Sequence, residues 1–459
     1  MGSDDRGRGP RTMRGLRVLA LLLLLPIATT LALPAAGMAK VPRTGGASPA
    51  GGVDSLWVGD RPGTSVSGAT FAVCPGPTSQ ASIDTCFATW TFFSELQNRQ
   101  AWATDGTDVY ATGSIGGGYF AVERCPVAGL GTGCARAIRL SAESDAIAAY
   151  AGTYWYGQND GSIYRCDSTD TCVLLDDAVD RPVKSLFYAN GVLYAGLGGT
   201  SKQQGILWKC DPDTANQCTN LDTYGNTFAT SFSAGGGYLW ALLSNGILWR
   251  CDPVTVNDCA DWGTPGSGQV TSDGAGTNYV ASWQGILACP QVATGTCTTT
   301  AITSGANSVA AWNGSFFAAM GKYPPSIYTG GTPYAYDGTH WAYANLLYLP
   351  AGGPVGVGGV RVAIGAGTVN RFLRARCAEA DATPRATVRI RGPHRTHRTF
   401  HLQVCRLLDG TTIRKRVDLL DPGEYRVVVR AGAHKGAATF TVEPDTTVKV
   451  PVTMKRVIG

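Results

Sequence analysis

Charge is scarce in this chain of 459 residues: 15% of side chains are Asp, Glu, Lys or Arg, and histidine occurs only 5 times. With 44% apolar side chains, that scarcity excludes global disorder, which needs low hydrophobicity and high net charge. No run beyond residue 39 is long and apolar enough for a bilayer span of about 20 residues, so no later helical membrane segment is expected. No tight Cys-x-x-Cys pair occurs, which removes the usual zinc-ligand spacing. No Gly-x-Ser-x-Gly elbow lies on a strand-to-helix turn, and between residues 40 and 355 the sole histidine is His340. A serine–histidine triad therefore has almost nothing to be built from.

What is abundant is glycine, 60 residues, which with little charge suits many short strands joined by tight turns; the chain reads as all-β. At the N-terminus Arg11, Arg14 and Arg17 precede an apolar run, Val18 to Leu33, and small residues at Ala35, Ala36, Gly37 and Ala39. This is the pattern of a secretory signal peptide over residues 1–39. Pro26 and Pro34 interrupt the run and argue against its being a membrane anchor. The mature chain is then expected to be soluble and secreted, in the extracellular space or periplasm.

In an exported chain an even number of cysteines, 14 here, reads as disulfides. They fall in close pairs: Cys74 with Cys86, Cys125 with Cys134, Cys166 with Cys172, Cys210 with Cys218, Cys251 with Cys259 and Cys289 with Cys297, leaving Cys377 and Cys405 for each other. The first members are 51, 41, 44, 41 and 38 residues apart, a repeat near the length of one four-stranded propeller blade. The repeat is plainest in Gly205–Cys218 (GILWKCDPDTANQC) and Gly246–Cys259 (GILWRCDPVTVNDC). There a strand, an Asp-Pro turn and a second strand make an outer hairpin that a disulfide can clasp. A column of aromatic-then-small dipeptides upstream has seven rows from Trp57-Val58 to Phe317-Ala318; in the seventh unit Gly330 stands where the others have cysteine. The first unit lacks an upstream strand, and Leu346 to Leu349 is placed to supply it and close the ring. The fold class expected is all-β, a seven-bladed propeller over residues 40–351, a Gly-rich linker at 352–359 and a basic β-sandwich domain at 360–459.

Two resemblances support this organisation. Tyr154-Trp155 followed by Gly161-Ser162-Ile163 resembles a strand and turn of secreted bacterial YWTD-like propellers, with Gly157 where that motif carries Asp. The likeness implies a binding scaffold and names no ligand. Leu420-Asp421-Pro422-Gly423-Glu424-Tyr425, followed by Phe440-Thr441-Val442 and Val448, resembles the turn of transthyretin-like, carboxypeptidase-regulatory-like sandwiches. That likeness implies a small accessory domain for stability or presentation.

Charge is distributed unevenly. Residues 356–459 hold 19 Arg and Lys against 8 acids, a net +11, whereas residues 40–355 net −9. The basic density peaks at Arg385, Arg389, Arg391, Arg395 and Arg398 and again at Arg414, Lys415 and Arg416, a candidate polyanion-binding group. The alternative is that this basic face docks on the acidic propeller or is merely solvated. His394, His397 and His401 stand among these arginines, whose charge repels a cation, so no metal is expected there. Asp167, Asp170, Asp211 and Asp213 supply one or two carboxylates per hairpin, too few for the six or more oxygens of Ca²⁺. Asp176 and Asp177 are adjacent, hence on opposite faces of a strand, and read as solvated turn residues.

Most tryptophans fall in repeat columns and read as core; Trp283 and Trp312 stand outside them and are the candidates for stacking on a ligand. Ser272-Asp273-Gly274 and Tyr336 to Trp341 echo fragments of the Asp-box turn of sialidase-like hydrolases, and neither is complete. The expected function is therefore a secreted binding or scaffold protein for an extracellular glycan, anionic polymer or protein. The alternative is a propeller-type, glycan-active hydrolase. No cofactor, no specific nucleic-acid partner and no catalytic residue are assigned.

Overall fold

The structure is a computed structural model. It describes residues 55–59, 70–75, 91–92, 96, 98–126, 134–177, 181–198, 204–266, 268–291, 296–300, 305–312, 315–320, 326–329, 332–335, 345–349, 357–365, 377, 385–393, 396–403, 405, 412–432 and 434–456. The signal segment, Cys86, Gly330, Tyr336 to Trp341, His394 and Arg395 lie outside the described residues, as does the 352–356 part of the linker.

Strands make up nearly all the regular structure, and among the described residues seven four-stranded sheets follow one another along the chain. The third runs Ala146–Tyr150, Thr153–Gly157, Ser162–Cys166, Cys172–Asp177; the fourth Val183–Ala189, Val192–Leu197, Ile206–Cys210, Cys218–Thr223. The fifth runs Ala229–Gly235, Tyr238–Leu243, Leu248–Cys251, Cys259–Asp261, and the sixth Val270–Ser272, Thr277–Ser282, Gly285–Pro290, Thr298–Thr299. Every pairing within these sheets is antiparallel, a propeller-like meander. Two-residue hairpin turns of type I′ need positive φ at both positions to match strand twist, and Asn190-Gly191 (47° and 75°) and Gly236-Gly237 (63° and 84°) supply it. The first sheet draws its strands from both chain regions: Ser55–Gly59 pairs on one side with Thr70–Pro75 and on the other with Asn345–Leu349, Trp57 opposite Leu347. The strand missing from the first unit is thus supplied from after the seventh.

The outer hairpins are stapled as the spacing suggests. Cys166 lies directly opposite Cys172, Cys210 opposite Cys218 and Cys251 opposite Cys259. These pairs, with Cys125–Cys134, Cys289–Cys297 and Cys377–Cys405, are bonded. In the fourth and fifth sheets the hairpin turn is closed by its aspartate: Asp211 Oδ1 accepts the Asp213 N–H at 2.9 Å, and Asp252 Oδ1 accepts those of Val254 and Thr255.

Consecutive sheets are tied by repeated polar contacts. The Asp176 carboxylate accepts the Cys218 N–H at 2.9 Å, and Asp222, one sheet further on, accepts that of Cys259 at 3.1 Å. Asp176 is therefore not a solvated turn residue: being four residues beyond Cys172, its side chain points at the next hairpin. Three basic residues that stand just before a first cysteine reach the same way. Arg124 donates to Ser168 O and pairs with Asp170, Arg165 pairs with Asp213, and Lys209 Nζ donates to Pro253 O at 2.5 Å. Between the sheets lie Trp155, Tyr194, Trp240, Leu243 and their neighbours, fully buried or nearly so.

Two further sheets follow. Gly358–Gly365 lies between Ile413–Leu420 and Thr447–Thr453, the latter parallel to it; the five-stranded sheet runs His397–Gln403, Arg385–Arg391, Gly423–Ala431, His434–Val442, Lys455–Arg456. Period-two alternation buries Ala386, Val388, Ile390, Tyr425, Val427 and Val429 from one sheet with Val360, Val362, Ile364, Val450 and Val452 from the other in one apolar cluster. The Leu-Asp-Pro-Gly-Glu-Tyr turn is held by its tyrosine, whose hydroxyl donates to Asp421 O at 2.8 Å.

This region is packed onto the repeated sheets. Val357 and Leu419 belong to the apolar cluster of the fourth and fifth sheets, so the last residues of the expected linker are part of the core. The Gly237 N–H donates to Leu419 O at 2.7 Å, the Gly236 N–H to Asp421 Oδ2 at 3.0 Å, and Arg398 pairs with Asp252 at 2.5 Å.

Candidate functional site

The eight basic residues singled out in the sequence do not act together. Because Arg385, Arg389 and Arg391 occupy positions of the same parity in one strand, all three project from the same face of the five-stranded sheet, and all are exposed. The register adds two arginines that the clustering of charge along the chain did not reveal. Arg426 lies directly opposite Arg391, and Arg430 opposite Thr387, on that same face, both exposed. Lys435 in turn lies opposite Arg430. Their signal was the charged–apolar alternation of Glu424-Tyr425-Arg426-Val427-Val428-Val429-Arg430.

Along a strand, side chains on one face recur about every 7 Å, and neighbouring strands are about 5 Å apart, so five guanidinium groups and Lys435 share one open surface. Arg391 with Arg426 and Arg430 with Lys435 are like-charge pairs placed directly across strands, an arrangement that costs stability unless something neutralises it. Glu424, two residues from Arg426, is the carboxylate of this stretch, and it forms no salt bridge with them among the described residues. The imidazoles of His401 and His397 share the face, hydrogen-bonded to Thr387 at 3.3 Å and Thr399 at 3.4 Å.

The other candidates are placed elsewhere. Arg398 has the opposite parity and is committed to Asp252, with its guanidinium also 3.9 Å from the centre of the Tyr238 ring. Arg416 pairs with Asp418 at 2.6 Å. Arg414 is exposed on the three-stranded sheet and Lys415 lies 5.6 Å from the Phe400 ring centre. One basic side chain, Arg398, therefore does dock on the acidic sheets, while the arginines of the open face do not.

Trp283 occupies the turn between Ser282 and Gly285 and is 72% exposed, in contrast to Trp155 and Trp240. Trp312 ends a strand; its side chain lies outside the described set. Asp273 of the Asp-box-like fragment is buried, its Oδ1 accepting the N–H groups of Ala275 and Thr277 at 2.7 and 3.0 Å. That carboxylate shapes a turn. The grouping Glu123, Cys125 and Cys134 brings ligand-type atoms together, but both sulfurs are spent in a disulfide. Among the described residues no helix is long and apolar enough to cross a membrane.

No family model matches the chain, and no curated protein does. The comparison with solved structures gives similarities of low score. The computationally designed Ika8 protein is similar with a TM-score of 0.42 and 13% identity, over 62% of this chain and 88% of its own. YCF48 bound to D1 peptide is similar with a TM-score of 0.41 and 15% identity, over 57% of this chain and 93% of its own. Sqt1 of Saccharomyces cerevisiae is similar with a TM-score of 0.40 and 12% identity, over 55% of this chain and 76% of its own. Identities this low say nothing about a ligand.

Proposed function

We propose that this is a secreted binding protein that holds an extracellular polyanion, such as a sulfated or uronate-bearing glycan, on the arginine face of its C-terminal region. The single observation carrying the reading is the placement of like charges directly across strands, Arg391 opposite Arg426 and Arg430 opposite the half-buried Lys435, with no salt bridge to them among the described residues. A row of anionic groups spanning that face turns a repulsive arrangement into bidentate, charge-assisted contacts. The architecture completing the reading is a seven-bladed, disulfide-stapled propeller of YWTD-like type with a transthyretin-like sandwich, the propeller presenting a second surface on which exposed Trp283 is a candidate stacking group for a glycan or protein. The six bonded cysteine pairs suit an oxidising, extracellular setting. A hydrolase remains the alternative reading, with Asp273 a turn-holding residue rather than an assigned catalytic one.

Retention on immobilised heparin tests the reading. The wild type should elute late and in a salt-dependent manner, and the double variant Arg389→Glu, Arg426→Glu should elute early while its thermal unfolding temperature is no lower, since the new glutamate at position 426 would face Arg391 with opposite charge. Equal retention of the two proteins would remove the arginine face from the function.

A further inference from the structure

Among the described residues Arg250 departs from the pattern of its counterparts. It occupies the position immediately before the first cysteine of its hairpin, where Arg124, Arg165 and Lys209 each reach a carboxylate or carbonyl of the next sheet. The Arg250 guanidinium instead lies between two aromatic rings, 4.1 Å from the Trp262 centre and 4.4 Å from that of Tyr238. Among the described residues no oxygen accepts a hydrogen bond from it and no carboxylate pairs with it. The facing residue is also different. Four residues after the second cysteine, Asp176 and Asp222 supply the carboxylate that caps the next hairpin, and the fifth sheet has Gly263 at that offset.

The gap is a pocket of about 530 Å³, lined by Arg250, Asp261, Trp262, Thr264, Leu287 and Thr296 among others. Its chemistry is mixed. Burial lowers the Arg250 pKa most; Tyr238 and the more distant carboxylate of Asp258 pull it up, and the neighbouring Arg398 pushes it down. Arg398 has its own counter-ion in Asp252. The carboxylate of Asp261 stands on the rim, exposed, with Oδ1 accepting the Gly263 N–H at 2.7 Å and its other oxygen able to accept from a ligand. A multiply charged anion meets repulsion from Asp261, whereas a molecule with one carboxylate and a nearby donor group satisfies both ends.

We propose that the pocket between the fifth and sixth sheets binds a small monocarboxylate that also carries a donor group, its carboxylate taking the bidentate edge of Arg250 and its donor reaching Asp261. The site is separate from the arginine face and stands whether or not that face binds a polyanion. Sugar acids and amino acids share this chemistry, the donor being a hydroxyl in one and an ammonium in the other. Their common feature is a carboxylate of the kind that Arg124 and Arg165 find in Asp170 and Asp213.

Titration of the full chain with D-galacturonate, L-alanine, D-galactose and sulfate, followed by calorimetry and by the fluorescence of the pocket tryptophan, tests the proposal. Saturable binding of at least one of the two monocarboxylates, with galactose and sulfate inert, is the result expected. Arg250→Ala should weaken it about tenfold or more, and Arg250→Lys should also weaken it by loss of the bidentate edge, with thermal unfolding confirming that both variants fold. Asp261→Asn should weaken alanine more than galacturonate, since an ammonium loses its ion partner and a hydroxyl keeps an acceptor. The Arg389→Glu, Arg426→Glu variant should bind as the wild type does. No saturation by either monocarboxylate up to about 10 mM, sulfate binding as well as they do, or unchanged affinity in a folded Arg250→Ala protein would each overturn it.

Discussion

Replacing Asp421 by asparagine should stabilise the protein at alkaline pH and do almost nothing at acid pH. Asp421 is 1% exposed where the C-terminal region meets the fifth sheet, and its Oδ2 accepts the Gly236 N–H at 3.0 Å. Burial, reinforced by the negative charge of Asp273 and opposed by that N–H, pushes its pKa from 3.8 up to about 7. A folded-state value above the unfolded one means that the fold favours the neutral acid. The resulting stabilisation is fully present below about pH 4 and is lost as pH rises through 7. A shift of about three units corresponds to a ceiling of about 4 kcal/mol between those limits, at about 1.4 kcal/mol per unit. Asparagine retains an acceptor for Gly236 and cannot ionise, so it should exceed the wild type by about 2–4 kcal/mol at pH 8 and match it within about 1 kcal/mol at pH 4.5. Unfolding in urea, followed by tryptophan fluorescence across this pH range, measures the difference. A wild type as stable as the variant at pH 8, or a difference of the same size at both pH values, would refute the reasoning.

Other perturbations read different parts of the structure. Changing Cys210 and Cys218 together to serine opens a loop of 8 residues and should cost about 2–3 kcal/mol of stability, seen as a lower Tm. Asp222→Ala leaves the Cys259 N–H without its acceptor at the junction of the fourth and fifth sheets, and should cost about 1–3 kcal/mol and speed proteolysis of the outer hairpin. Tyr425→Phe removes the hydroxyl that holds the Asp421 carbonyl and should lower stability by about 1 kcal/mol in chemical unfolding, with no change in heparin retention.

The repeated sheets were legible because each unit carries redundant local signals: two cysteines, an Asp-Pro turn and an alternating strand. Even the strand at Leu346–Leu349 could be placed, since a first unit short of one strand leaves a place to fill. The contacts between units were not legible. Asp176 and Asp222 look like surface acids in the sequence, and only their direction across the sheet gap shows that each caps a neighbouring cysteine amide. The arginine face was half legible. Clustering along the chain gathers Arg385 to Arg398, but a strand sends alternate residues to opposite sides, so Arg398 leaves for Asp252 while Arg426 and Arg430 join from a strand forty residues away in the sequence. Opposite net charges in the two parts of the sequence allow the C-terminal region to dock without fixing where. The docking depends on Leu419, Asp421 and two hairpin turns whose proximity no spacing reveals.

The arginine face is tested most directly by the salt dependence of binding to a defined heparin oligosaccharide, measured for the wild type and for Arg389→Glu, Arg426→Glu. Each anionic group neutralised by an arginine releases roughly one condensed counter-ion, so the plot of log affinity against log salt should be steep for the wild type and shallower by about two units or more in the variant. A salt-insensitive wild type, or identical slopes for the two proteins, would contradict the account.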